Sequence, residues 1–316
     1  MSEATAEPTA APRAQPEAIR AVPVRHPGRW VSAAIVVVVA AQLGHWLFTN
    51  EALGLGTAWS YVFDDTILRG IVVTLELTVI AMVMGIVLGV LLAIMRLSKN
   101  PIVSAAAWTY IWFFRGTPVL VQLLFWFNLP SVVNAISIGI PFGPHWFPQD
   151  PKALITAFIA ACLGLGLNEG AYMAEIARAG ILSVDEGQDE AACALGMSRL
   201  LTMRRVVLPQ AMRVIIPPTG NETISMLKTT SLAVVIGVLE LLGTAQAIYA
   251  RTYEVIPLLL TASIWYLFMT SILSVGQYYV ERRFARGSSR NLPLTPRQRF
   301  KAKLAARRRP PLARTI

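Results

Sequence analysis

The chain is 316 residues long and 55% hydrophobic, with 28 Lys and Arg against 18 Asp and Glu for a formal net charge of +10. That apolar share, gathered into long runs, excludes an ordinary soluble domain. The sequence has no Gly-Lys dipeptide, which excludes a Walker-type phosphate loop, and its two cysteines and three histidines show neither disulfide-framework nor metal-ligand spacing.

Residues 1–29 are rich in Ala and Pro and read as a disordered cytoplasmic tail. The first apolar run, 30–48, follows Arg20, Arg25 and Arg29 in the manner of a signal peptide. It starts late, however, and His45-Trp46-Leu47-Phe48 does not suit a small-residue cleavage site, so the run is expected to stay as a membrane helix. Further runs at 70–95, 103–127, 153–173, 214–242 and 256–280 each reach the roughly 20 helical residues needed to cross about 30 Å of hydrocarbon. They are continuous rather than alternating, which predicts helices and not barrel strands. The expected fold is therefore an all-α polytopic membrane protein with about six spans. The fifth span is the least regular, because Pro217-Pro218-Thr219-Gly220 opposes a regular helix and Lys228 sits inside it.

Lys and Arg alternate between the connections. The 96–102 turn carries Arg96 and Lys99, and the 174–213 loop carries Arg178, Arg199, Arg204, Arg205 and Arg213. The 285–316 tail is densely basic, whereas 49–69, 128–152 and 243–255 contain only Arg69, Lys152 and Arg251. By the positive-inside rule both termini and the 174–213 loop are expected in the cytoplasm. A nucleic-acid reading of the basic tail lacks interleaved aromatics apart from Phe300, and anionic lipid is the nearer partner.

The 174–213 loop is more organised than a linker. Ser183 with Glu186 three residues on is a capping-box pattern that predicts a helix from about residue 184. Gly196 can supply the left-handed conformation that ends it. Ser198 then caps a second short helix to about residue 207, with Leu208-Pro209 as its stop. Together they predict a compact knob outside the membrane.

Within that loop Glu190-Ala191-Ala192, Gly196, Val206 and Leu208-Pro209 follow the spacing E-A-A-x3-G-x9-I-x-L-P, with Val206 in place of Ile the departure. The chain thereby resembles the transmembrane subunits of ATP-binding-cassette importers. A narrower similarity to the polar amino acid uptake branch rests on Thr74-Leu75-Glu76-Leu77, Phe114-Arg115-Gly116-Thr117-Pro118, the 171–181 segment, Asn221-Glu222, residues 228–232 and Gly243-Thr244-Ala245-Gln246. It covers about 66–284, so that 30–48 looks like an accessory anchor and 285–316 a basic cytoplasmic tail. The resemblance implies a type I importer permease domain, multi-pass in the bacterial inner membrane, working by alternating access. It implies no enzyme activity and no cofactor in this chain, ATP and Mg²⁺ being bound by a partner ATPase that docks on 184–208. An extracytoplasmic solute-binding protein and a second permease subunit, the same or a paralogue, are implied as partners, with lipid around them and no nucleic acid. Another solute class remains open: an opine, a compatible solute or an organic cation. A non-transporting membrane receptor or scaffold is the reading of a different class, against which the docking loop argues.

Charges inside spans are costly and invite a role. Arg115 lies beside Gly116 and Pro118, where a helix can bend; it either pairs with a carboxylate or lines the pathway. Asn221, Glu222 and Lys228 follow the proline pair. Glu222 and Lys228 either meet the two charges of an amino acid zwitterion or lock against each other. Asn168, Glu169 and Glu175 are expected toward the cytoplasmic end of their span, and Gly85 and Gly89 mark a close helix contact.

Overall fold

The computed structural model describes residues 27–133, 135–139 and 145–284; the expectations for 1–26 and for the 285–316 tail lie outside them. The described residues divide into two units, 27–53 and 54–284. In the first unit, α1 (Pro27–Thr49) is a 23-residue helix around the expected 30–48 span, followed by a 3-10 turn at Glu51–Leu53.

The second unit opens with a short amphipathic helix, α2 (Leu55–Val62), and continues into α3 (Asp65–Arg96), capped by the Asp64 carboxylate on the Thr66 amide. Next come α4 (Pro101–Gly116) and α5 (Val119–Asn128). A two-stranded antiparallel hairpin, β1 (Ile136–Gly139) and β2 (His145–Gln149), is a small departure from the all-α expectation. It is followed by α6 (Pro151–Leu154) and α7 (Ala157–Leu182). The extramembrane loop then forms α8 (Glu186–Ala194), α9 (Arg199–Thr202) and a π-helical stretch at Met203–Val207. The remainder is α10 (Leu208–Thr229), a 3-10 extension at Thr230–Ile236, α11 (Leu241–Thr252) and α12 (Val255–Phe284). Among the described residues four helices are long and apolar enough to cross a membrane, or six spans form if each of two bent pairs counts as one.

Helix packing rests on close backbone approach, since burying apolar surface gives little advantage where the solvent is itself hydrocarbon. A Cβ added at Gly85 would overlap the Glu169 side chain, and one at Gly89 that of Met173. On the facing helix, a Cβ at Gly170 would come within 2.8 Å of Leu88. Both sequence numbers rise together along this contact, so α3 and α7 run parallel. Gly180 meets Ile215 and Ala211, which turns α10 back antiparallel to α7, and Gln277 beside Pro217 and Gly220 returns α12. The ends at Arg96, Leu182 and Phe284 therefore share one side with the α8–α9 knob. Asp65 and Val255 lie at the other. Leu77, Ala81, Leu123, Leu165 and Ile236 pack one core, while Ile67, Leu227, Leu241, Ala245 and Leu258 pack a second toward α11 and α12.

Several local expectations are corrected. The single helix expected over 103–127 is two helices bent by 102° at Thr117-Pro118. Pro218 and Pro217, by contrast, do not break their helix: α10 runs through both. A proline keeps a helical φ, and beside this pair the Pro217 carbonyl accepts Gln277 Nε2 of α12 at 3.2 Å. The loop helix starts at Glu186 with Asp185 as its cap, because Ser183 ends α7 and its hydroxyl donates to the Gly180 carbonyl. Leu208-Pro209 begins α10 rather than stopping a helix, since proline is at ease in a first turn. The expected 243–255 connection is mostly α11. Because α7 reaches Leu182, Asn168 and Glu169 fall mid-helix and not near its cytoplasmic end.

Candidate functional site

Two arrangements stand out, one within the helix bundle and one outside it. The first begins at Pro118. A proline has no amide hydrogen, so the carbonyl four residues back loses its helical partner. That carbonyl belongs to Phe114, and it accepts Asn168 Nδ2 at 2.8 Å and Gln122 Nε2 at 3.0 Å. Gln122 also reaches the Thr117 hydroxyl at 2.8 Å. Side chains from α5 and α7 thus satisfy the groups freed by the break, and the bend is a built feature.

The bend opens a polar cleft of about 630 Å³ lined by Arg115, Thr117, Asn168, Glu169, Tyr172, Glu222 and others. Arg115 lies over the Tyr172 ring, 5.3 Å from its centroid, a cation–π contact that orients a guanidinium while leaving its donors free. Glu169 is only 3% exposed, and its Oε1 has no hydrogen-bond partner. A buried acceptor without a partner is expensive, and this one belongs to a residue that lines the cleft. Glu222 approaches from α10, together with Ser225, Met226 and Thr229. The cleft thus presents two carboxylates against one guanidinium, inside apolar surroundings where such charges act strongly.

Of the residues expected along a pathway, Arg115 and Glu222 come together here. Asn221 is exposed on another face of α10, its Oδ1 accepting Gln277 Nε2 at 2.9 Å. Lys228 is exposed outside the cleft, and no ion pair joins it to Glu222 among the described residues. The Glu222–Lys228 pairing fails because six residues along a helix do not share a face. Glu169 and Asn168 are the lining residues that the sequence placed elsewhere; two adjacent polar residues between Gly164, Gly166 and Gly170 were the signal.

The second arrangement is the knob. Gly196 has φ +76°; its amide donates to the Cys193 carbonyl at 2.9 Å and that of Met197 to the Ala192 carbonyl at 3.1 Å. This paired pattern ends a helix and reverses the chain. Ala192 and Val207 are buried within the knob, so the small residues of the Glu190-Ala191-Ala192 stretch let α8 sit against the π-helical segment. Glu190 is exposed, with no ion pair to Arg204 or Arg205 among the described residues. Val206 is half-buried, and Leu208 and Pro209 are exposed at the start of α10. At the tip Leu195 is 82% and Leu200 79% exposed, two large apolar side chains with nothing covering them. No group of His, Cys, Asp or Glu suited to a metal occurs among the described residues.

Comparison with known proteins shows what the chain is similar to. Residues 85–286 match the family described as "Binding-protein-dependent transport system inner membrane component". The arginine transport system permease protein ArgU of Corynebacterium glutamicum is 52% identical over 281 residues, 88% of this chain and 87% of that one. The nopaline transport system permease protein NocM of Agrobacterium fabrum is 39% identical over 212 residues, 66% of this chain and 83% of that one. A solved amino acid ABC transporter with histidines is similar at a TM-score of 0.59 and 37% identity, covering 70% of this chain and 95% of that chain.

Proposed function

The chain belongs to the family of binding-protein-dependent transport system inner membrane components, and from that membership we propose that it is the permease subunit through which a basic amino acid is taken up. As a permease of this family it is not an enzyme; it spans the inner membrane several times and works with an ATPase and a substrate-binding protein. The single observation that carries the solute class is the cleft, where Glu169 and Glu222 face Arg115. A basic amino acid has two cationic groups and one carboxylate, the complement of that set. ArgU is a permease for arginine, the solute of that charge pattern.

In this reading Arg115 takes the solute carboxylate, held ready by Tyr172, and the two glutamates take its cations. The ATPase, which holds ATP and Mg²⁺, grips Leu195, Leu200 and Glu190 on the knob, with Ala191, Ala192, Gly196, Val206, Leu208 and Pro209 shaping that surface. Both termini lie on the knob's cytoplasmic side, and lipid or a second permease subunit covers the exposed apolar helices. Reconstitution with its ATPase and binding protein in proteoliposomes tests the reading, using labelled arginine, glutamine, cystine and nopaline. Arginine is expected to enter fastest, with Glu222→Gln lowering its uptake at least tenfold. Preference for a neutral amino acid would overturn the assignment of solute.

A further inference from the structure

Glu240 is 0% exposed, and neither the cleft nor the knob uses it. It lies in the break between the 3-10 segment ending at Ile236 and α11, where the two helical axes differ by 43° and Gly237 turns the chain with φ +83°. Its Oε1 accepts the Gly243 amide at 2.8 Å, closing the first turn of α11. Its Oε2 accepts the Tyr266 hydroxyl of α12 at 2.6 Å and lies 3.3 Å from the Thr74 hydroxyl of α3. Thr74 Oγ1 in turn accepts the Leu241 amide at 3.0 Å. One carboxylate therefore fastens the start of α11 to two other long helices. Packing reinforces it, since a Cβ at Gly70 would come 2.7 Å from Thr244 Oγ1.

On the other side of the break, the chain is helical from Arg199 to Ile236 without interruption. That rod begins at the knob, carries Glu222, Ser225, Met226 and Thr229 into the cleft wall, and ends at Gly237. With its far end held, a push at the knob swings the rod about that end and carries its middle through an arc; with the far end free, the rod shifts bodily and the swing of the cleft wall is lost. The hold at this end is the Glu240 cluster, and the joint is Gly237, where the chain turns.

We propose that Glu240, with Tyr266 and Thr74, is the fixed pivot that turns movement of the 186–207 knob into movement of the cleft wall, a positioning role for the transport cycle. This rests on the reading of the chain as an ATP-driven permease. Two arms test it on the complete complex with its ATPase. The first measures arginine imported per ATP hydrolysed in proteoliposomes for Tyr266→Phe, Glu240→Gln and Glu240→Ala. A pivot predicts that the ratio falls at least fivefold in Glu240→Ala and less in Tyr266→Phe, with Glu240→Gln, which keeps an acceptor oxygen, retaining most of it. A purely structural role would lower the amount of complex and leave the ratio at its native value, which would overturn the proposal.

The second arm needs no transported solute. In a chain with Cys162 and Cys193 replaced by alanine, spin labels on Gln246→Cys and Ile264→Cys report across the pivot, and labels on Val214→Cys and Ile264→Cys report on the rod. Adding ATP and Mg²⁺ is expected to shift the second distance and leave the first unchanged; in Glu240→Ala the first shifts as well. A shift of the first distance in the chain with Glu240 intact would overturn the pivot. If the native complex imports no arginine, the solute assignment fails while this arm still decides the pivot.

Discussion

Asn168 Nδ2 donates to the Phe114 carbonyl, the group that Pro118 deprives of its helical partner, across 2.8 Å between α7 and α4. The sharpest bend in the bundle is thus held by a side chain from a neighbouring helix, and the same residue stands beside Glu169 in the cleft wall. Asn168→Leu leaves that carbonyl with Gln122 alone. We expect a loss of about 1–2 kcal/mol, read as a lower melting temperature of the detergent-solubilised chain. The double variant with Gln122→Leu is expected to lose more than the sum of the singles, because the carbonyl is then unpaired. A double variant no worse than either single would mean that water already serves this carbonyl.

The α3–α7 contact predicts a second stability effect. Gly85→Val places a branched side chain where Glu169 already stands, and Gly89→Val does the same against Met173. Overpacking of this kind costs about 1–3 kcal/mol, so both variants should yield less folded protein by size-exclusion chromatography. Gly276→Ala, where an added Cβ meets nothing within 4 Å, is the control and should behave as native.

Much of this fold was legible because crossing a membrane imposes length and continuity on the sequence, and the runs at 30–48, 70–95 and 256–280 correspond to α1, α3 and α12. Gly196 was legible for a stronger reason: a helix end in the left-handed region has few residue choices. Proline was the harder letter to read. Pro118 breaks its helix and Pro217-Pro218 do not, and the carbonyl freed at the break is met by Asn168, a partner far along the chain. The cleft was half legible for the same reason. Arg115 and Glu222 announce themselves as charges in apolar runs, whereas Glu169 joins them only because α7 extends nine residues beyond the expected end at 173, to Leu182. The Glu240 cluster was not visible at all, since its members lie at 74, 240 and 266 and meet only through packing.

Topology follows from charge and from the packing direction of α3, α7, α10 and α12. Reporter fusions after Lys99 and in the 186–207 knob are expected to be active only in the cytoplasm, and one after Glu254 only outside. The alternate connections differ in Lys and Arg enough for the positive-inside rule to set the orientation. A cytoplasmic signal after Glu254 would contradict the direction of α11 and α12.

Charge in the cleft predicts a change of preference and not merely of rate. Arg115→Gln removes the only cation named there and should raise the KM for arginine by at least tenfold, with the ATPase still bound. Lys228→Gln, outside the cleft, should leave the KM within twofold. Equal effects from the two would mean that bulk potential along the pathway, and not contact in the cleft, governs uptake.

The central claim is that this permease is driven through the 186–207 knob, and binding-protein-stimulated ATP hydrolysis by the purified complex tests it most directly. Leu200→Asp puts a charge on the apolar tip, and Gly196→Val puts a branched residue at φ +76°, a strain of about 1 kcal/mol or more. Both variants should insert normally yet co-purify with less ATPase, and the stimulated hydrolysis per permease should fall at least tenfold. Native stimulation and native uptake in both would contradict the account.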